Sequence, residues 1–372
     1  MTETADILVI GAGIAGASAA ALLAEDADVI LLEAEDRPGY HTTGRSAATW
    51  IQYYGPPQVR AMTKASWSFL DTPPDGFCDA PLMKRRGEML IGEKGQGGLL
   101  DAEIANAPGM LRLSPTEAKD LIPALKADLL EGAAYDPDAQ DIDVDMLHQG
   151  YLRLFKRHGG RLFCDARIDG ISRRDGVWTA GAGGTEYQAP ILINAAGAWG
   201  DVVAGLAGVQ PVGLVPKRRT AAMVTVAGDR DVRNWPLCAA LDMSFYIRPD
   251  GGRLMVSPAD ETPSEPCDAF ADDFDVAVGI DRMQTFTDLE VTRVENSWAG
   301  LRTFAPDGVL VSGFDPQAEG FYWLVGQGGY GIQTAPAMAQ FAAATVKGQP
   351  LPQEHAEAGV APAEISPARF AS

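Results

Sequence analysis

Two glycine clusters and one loop of small residues carry the chemistry that can be read from this sequence. The first cluster, Gly11-Ala12-Gly13-Ile14-Ala15-Gly16, follows the apolar run at 6–10 and opens an alanine-rich stretch. Such a turn suits a dinucleotide. Gly11 permits the tight bend, Gly13 lets a pyrophosphate approach the backbone, and Gly16 lets helix and strand pack closely. The N–H groups at the helix start, around Ile14 and Ala15, favour phosphate. Glu33, followed by Ala34, ends the next apolar run, the place for an acid that holds ribose hydroxyls. Alone, the spacing could also be a plain glycine turn. Strand, turn, helix and acid in order point to a dinucleotide, and leave open whether it is FAD or NAD.

Two later segments favour FAD. The loop Thr43-Gly44-Arg45-Ser46-Ala47-Ala48, after His41 and Thr42, would let a flat ring approach the backbone, although by itself it also reads as an ordinary polar loop. Gly326, Gly328, Gly329 and Gly331, with Tyr330 and Ile332 among them, precede a helix-forming stretch. A reduced flavin carries negative charge around N1 and the C2 carbonyl, and a helix start there would stabilise it.

These segments need a scaffold. Residues 6–33 read as one βαβ unit, and apolar strands recur at 191–194 and 321–325, each ending in small residues. Between them, residues 219–295 alternate like antiparallel strands, with a hairpin at 245–257 turning at Pro249-Asp250-Gly251-Gly252. No internal repeat is evident. The expected fold class is α/β, or α+β: a Rossmann-like FAD-binding domain from residues 1–80, 147–218 and 296–348, interleaved with a substrate-binding domain from 81–146 and 219–295 on a mixed or antiparallel sheet. Residues 349–372, rich in Ala, Pro and Glu, read as a loosely held C-terminal tail.

Composition narrows the class. A chain of 372 residues with 46% hydrophobic and 22% charged residues is globular and large enough for about two domains. Its 41 glycines exceed the usual share of about 7%. The net charge of −20 argues against sequence-independent binding to nucleic acid or anionic lipid. No run reaches the roughly 18 apolar residues of a membrane span. Cys78, Cys164, Cys238 and Cys267 are far apart, form no metal-site or redox pair, and read as free thiols of a cytoplasmic protein.

Taken together, GAGIAG with Glu33, TGRSAA at 43–48, NAAGAW at 194–199, AGLRTFAPDG at 299–308 and GQGGYGIQT at 326–334 resemble the FAD-dependent D-amino acid oxidase and dehydrogenase family. PGYHTTGRSAA, YGPPQVRAMT, DMLHQGYLR, PKRRTA and SFYIRPD resemble, in the same order, its bacterial catabolic D-arginine dehydrogenases. The resemblance implies oxidation of D-amino acids, preferentially basic ones such as D-arginine or D-lysine, to imino acids and then 2-oxo acids, with hydride passing from Cα to flavin N5. It implies that Arg302 grips the substrate carboxylate with Tyr246 and Arg219, that Tyr54 or its neighbour Tyr53 forms a lid, and that Glu88 binds a distal cation. Without the resemblance, Arg302 could be a surface arginine and Glu88 a solvated strand residue beside Arg85 and Arg86. Gly329 and Gln333 would lie against substrate and flavin, and Ala196, Gly197 and Trp199 against FAD. Near the lid, the D-arginine dehydrogenase pattern has a histidine and a threonine where this chain has Thr49 and Ile51. No cysteine stands in the C-terminal glycine loop, so the FAD is expected to be non-covalent, with a quinone or other carrier as electron acceptor. The alternatives are oxidation of another small amine or 2-hydroxy acid, of sarcosine or glycine type, or a flavin-binding protein without catalysis.

Overall fold

The computed structural model describes residues 1–228 and 230–371. Its centre is a six-stranded sheet in the order Arg161–Phe163, Val29–Leu32, Ile7–Ile10, Ile191–Asn194, Phe321–Val325 and Val311–Phe314. The first five strands are parallel and the last is antiparallel. Strands Ile7–Ile10, Val29–Leu32 and Phe321–Val325 are buried along their whole length, because layers cover both faces. On one face the helix Ile14–Leu23 packs against Gly331–Lys347 and Val144–Arg157. Its alanines at 17 and 19–21 are fully buried, and their small side chains let the helices approach closely. On the other face Trp178 and Tyr187, from a meander spanning 170–189, pack over Leu8 and Ile30.

The second layer is a nine-stranded mixed sheet that includes Glu88–Glu93, Leu237–Ala240, Tyr246–Asp250, Arg253–Ser257, Val215–Val226 and Val291–Phe304. Neighbouring side chains alternate between its two faces, so one strand serves two environments. Met89, Ile247 and Val256 join a core with Met283 and Phe286. Leu90, Leu237, Ala239 and Tyr246 form a separate cluster on the opposite face. That second face looks onto the glycine-rich turns of the first sheet. The mixed α/β class expected from the sequence holds.

Three expectations change. Residues 219–295 are not strands throughout: Asp273–Phe286 is a 14-residue helix, with Asp272 accepting from Phe274 N–H at its start. Residues 349–371 of the expected loose tail, which ran to 372, are packed on the fold. His355 and Ile365 are buried, His355 Nε2 donates to Ala337 O at 2.9 Å, and Arg369 pairs with Asp307 at 2.7 Å. Finally, the strands Val215–Val226 and Val291–Phe304 run straight through the boundaries expected at 218/219 and 295/296, and both lie wholly within the nine-stranded sheet. No helix among the described residues is long and apolar enough to cross a membrane.

Candidate active site

One cavity of about 380 Å³ runs from the first glycine turn to the inner face of the nine-stranded sheet. At its nucleotide end, Gly11 adopts φ 100°, and a Cβ there would lie 2.5 Å from Ala195 O. A Cβ on Gly16 would lie 1.9 Å from Gly11 O, so the turn closes only with glycine at both positions. The polar groups beside it are already paired. Glu33 Oε2 accepts from Ala12 N–H at 3.0 Å and its Oε1 from Glu35 N–H at 3.1 Å. Thr43 Oγ1 accepts from Ile14 N–H at 2.9 Å, and His148 Nε2 donates to Ala12 O at 2.9 Å. Burial pushes the Glu33 carboxyl above its ordinary range, opposed by the backbone N–H donors. Thr43 takes the Ile14 N–H, but no side chain among the described residues caps the next N–H of the helix, at Ala15, and this donor with Glu33 at the strand end fits the diphosphate and ribose of FAD.

The other end is built from side chains. Arg302 and Lys217 sit opposite each other in register, and Arg219 faces Gly300, which places all three cations on one face of the strand pair. Arg302 Nη1 donates to Tyr54 Oη at 3.3 Å. A Cβ on Gly329 would lie 3.0 Å from that same Nη1, so glycine there leaves room for the guanidinium. Burial works against the charge on Arg302, but Tyr54, Tyr246 and Glu261 outweigh it and hold its pKa above the usual arginine value. Arg219 is 9% exposed, with its Cζ 6.0 Å from the Tyr246 ring centre. Tyr54 packs edge-on to Tyr330 at 5.0 Å. Tyr53 packs among the apolar side chains of the sheet and does not line the cavity, whereas Tyr54 does.

Glu88 lines the same cavity, is 6% exposed, and lies opposite Asp136 in the sheet. Burial first, then the charges of Asp136 and Glu103, push its pKa up to about 8. Among the described residues it forms no ion pair. Arg85 and Arg86 are engaged elsewhere, with Asp138 at 2.5 Å and Asp141 at 2.6 Å, so Glu88 is not the solvated strand residue the sequence left open.

Most other expected contacts line the cavity: Ile14, Ala15 and Ala34; Ser46, Ala47 and Ala48; Ala196, Gly197 and Trp199; and Gly328, Gly331 and Ile332. Four do not. Gly16 packs on Gly11, and Gly44 on Gly39 O. Gly326 is close to Val311 and Ala305, and Tyr330 backs Tyr54. Two others line it with their polar groups already bound. The Gln333 amide accepts from Ile51 N–H at 3.1 Å and donates to Thr63 Oγ1 at 2.8 Å, which holds the segment bearing Thr49 and Ile51. Arg45 donates to Ala269 O at 2.7 Å and Ala299 O at 3.0 Å and pairs with Asp268, tying the small-residue loop to the second sheet. Sequence reasoning missed Ala166, Arg167 and Ile168 at the nucleotide end, which carry no local signal. It also missed Leu237 and Ala239, whose alternation along a strand could have placed them on the cavity face.

Residues 6–345 match the family described as DAO, FAD dependent oxidoreductase. Over 229 residues the chain is 30% identical to the mitochondrial sarcosine dehydrogenase of Mus musculus, a match covering 56% of this chain and 24% of that protein. The chain thus spans about a quarter of the length of that relative. It is 24% identical over 399 residues to FAD-dependent oxidoreductase domain-containing protein 1 of Mus musculus, covering 91% and 80% of the two. Among solved structures, L-proline dehydrogenase from P. horikoshii superposes with a TM-score of 0.83 at 18% identity, covering 100% of this chain and 98% of that one. Glycine oxidase from Geobacillus kaustophilus gives 0.80 at 19%, covering 94% and 96%. Iminodiacetate oxidase from Chelativorans sp. BNC1 gives 0.77 at 24%, covering 93% and 96%. The structural likenesses establish the fold, the family match covers nearly the whole chain, and this protein belongs to the DAO family of FAD-dependent oxidoreductases.

Proposed function

We propose that the chain oxidises D-amino acids, preferentially those with a cationic side chain such as D-arginine or D-lysine, to imino acids that hydrolyse to 2-oxo acids and ammonia. The observation that carries this reading is the pair of opposite charges on one cavity. Arg302 and Arg219 stand at one side, and Glu88, buried with only acidic neighbours, at another. A basic amino acid presents the complementary pair, a carboxylate and a distal cation.

Bound FAD supplies the two-electron acceptor that takes hydride from the substrate Cα. This chain's own residues bind and orient. Arg302, with Tyr246 and Arg219, holds the carboxylate through charge-assisted hydrogen bonds, which contribute about 1.5–3 kcal/mol each. Tyr54, backed by Tyr330, covers the bound carboxylate and keeps water from it. Glu88 fixes the far end of the side chain. With both ends held, only one enantiomer can turn its single Cα–H toward the acceptor, and positioning supplies the rate. The substrate ammonium gives up one proton to solvent water before its hydride leaves, and no side chain is assigned as the obligatory base for it. Non-covalent FAD, with a quinone or another carrier removing the electrons, completes the proposal.

Anaerobic mixing of the flavin-loaded protein with D-arginine, D-lysine and their L-forms tests the reading. Bleaching of the flavin absorbance by the D-forms is expected; no bleaching by any of the four overturns it. A second reading, oxidation of a small secondary amine, draws on the similarity to the murine sarcosine dehydrogenase. Bleaching by sarcosine or glycine, with none by D-arginine, would select it.

A further inference from the structure

We infer that Glu261 is the positioning residue that aims Arg219 at the substrate carboxylate, with the Asp260 carbonyl holding Nε on the same edge of the guanidinium. The inference rests on the carboxylate role proposed above for Arg219.

A guanidinium has five donors on a rigid plane, so which of them a ligand meets depends on which are already taken. Arg219 Nε donates to Asp260 O at 2.8 Å and Nη2 to Glu261 Oε1 at 3.1 Å. Nη1 is buried and has no partner among the described residues. A charged donor left unpaired in a side chain that is 9% exposed is costly unless a ligand completes it. The residue lines the cavity beside Tyr246. The Nε–Nη2 edge is therefore tied from behind, and Nη1 is the donor left for a carboxylate.

The holders are themselves fixed. Asp260 Oδ1 accepts from Thr220 N–H at 2.6 Å and its Oδ2 from Thr220 Oγ1 at 3.1 Å. Ser257 Oγ donates to Thr220 O at 2.6 Å and accepts from Ala259 N–H at 3.1 Å. Ala259, at φ 53°, occupies the left-handed region that non-glycine residues rarely adopt, and the chain turns there to present Asp260 and Glu261 to Arg219. Glu261 is anchored a second time by Lys217 Nζ at 2.9 Å, and that ammonium lies 5.0 Å from the Phe304 ring centre. The side chain of Glu261 is 47% exposed and does not line the cavity, so it acts through Arg219 and not on substrate.

The experiment titrates the FAD-loaded protein with 2-aminobenzoate, a carboxylate probe, and follows the visible flavin absorbance. Wild type is compared with Glu261→Ala, Glu261→Gln, Arg219→Met and the Arg219→Met/Glu261→Ala pair. Glu261→Ala is expected to weaken the probe about tenfold, the worth of one charge-assisted hydrogen bond. Glu261→Gln still accepts from Nη2 and is expected to retain most of the affinity. Glu261→Ala should have no further effect once Arg219 is methionine. Unchanged or tighter binding in Glu261→Ala, equal losses in Ala and Gln, additive losses in the double variant, or no probe binding by wild type would each overturn the inference. With D-arginine the same variants should raise KM more than they lower kcat. If no amino acid bleaches the wild-type flavin, the proposed substrate fails while the probe titration still reports on Glu261.

Discussion

The two ends of the cavity differ in how they treat polar groups. At the nucleotide end they are paired within the protein: Ala12 N–H with Glu33, Ile14 N–H with Thr43, Ala12 O with His148, and Arg45 with three acceptors. At the substrate end they are left open: Arg219 Nη1 and Thr49 Oγ1 have no partner among the described residues, and Glu88 has only like charges near it. The first end is a finished scaffold whose shape is set by backbone. The second holds charge that a ligand must complete, which favours specificity because the wrong ligand leaves buried charge unpaired.

That contrast can be broken most forcefully at Gly16. Gly16→Ala places a Cβ 1.9 Å from Gly11 O, and the purified protein should carry almost no flavin, read from its visible spectrum. Normal flavin content would show that the nucleotide end is not a rigid cradle. Arg302→Met should do the reverse, keeping full flavin content while kcat/KM for D-arginine falls about a hundredfold or more. Comparable loss of flavin would merge the two ends into one unit.

Glu88 sharpens the contrast by titration. Its neutral form is favoured in the folded protein, so the stability it contributes is present below the ordinary glutamate value of 4.5 and is lost as pH rises toward and through about 8. Glu88→Gln should therefore raise Tm more at pH 9 than at pH 5. A cationic substrate needs the ionised form, so kcat/KM for D-arginine should rise through about pH 8. D-Methionine should lack that limb, and so should Glu88→Gln with D-arginine. The same profile for both substrates would remove Glu88 from cation recognition.

The nucleotide end was legible because backbone geometry demands glycine at fixed spacing, and such a demand shows in a single sequence. Gly11, Gly13 and Glu33 could be placed by that argument alone. The substrate end was legible only by resemblance, since an arginine on a strand carries no mark of the face it occupies. Arg302 meets Tyr54 across 248 residues of chain, and no local pattern encodes that meeting. Asp273–Phe286 was passed over as strand although Asp272 could have marked a helix start and Val276, Met283 and Phe286 recur at helical spacing. Gln333 illustrates the opposite error. Its place beside the cavity was foreseen, but its amide bonds to Ile51 and Thr63 depend on how the Thr49–Trp50 strand arrives from elsewhere.

The threading of the central sheet also bears on how the protein comes into being. Ile7–Ile10 pairs with Ile191–Asn194, which pairs in turn with Phe321–Val325, and the helix behind the first glycine turn rests on Gly331–Lys347. On a ribosome, the glycine turn emerges first and its packing partner only after some three hundred further residues. Loop-closure entropy must be overcome before those contacts form, which makes such long-range pairing slow. Until then Ile7–Ile10 is an apolar strand with open edges, the kind of nascent segment that chaperones shield from aggregation. FAD, binding only the assembled turn, would stabilise the last stage of that process by mass action, so added flavin during synthesis is expected to raise the yield of folded protein.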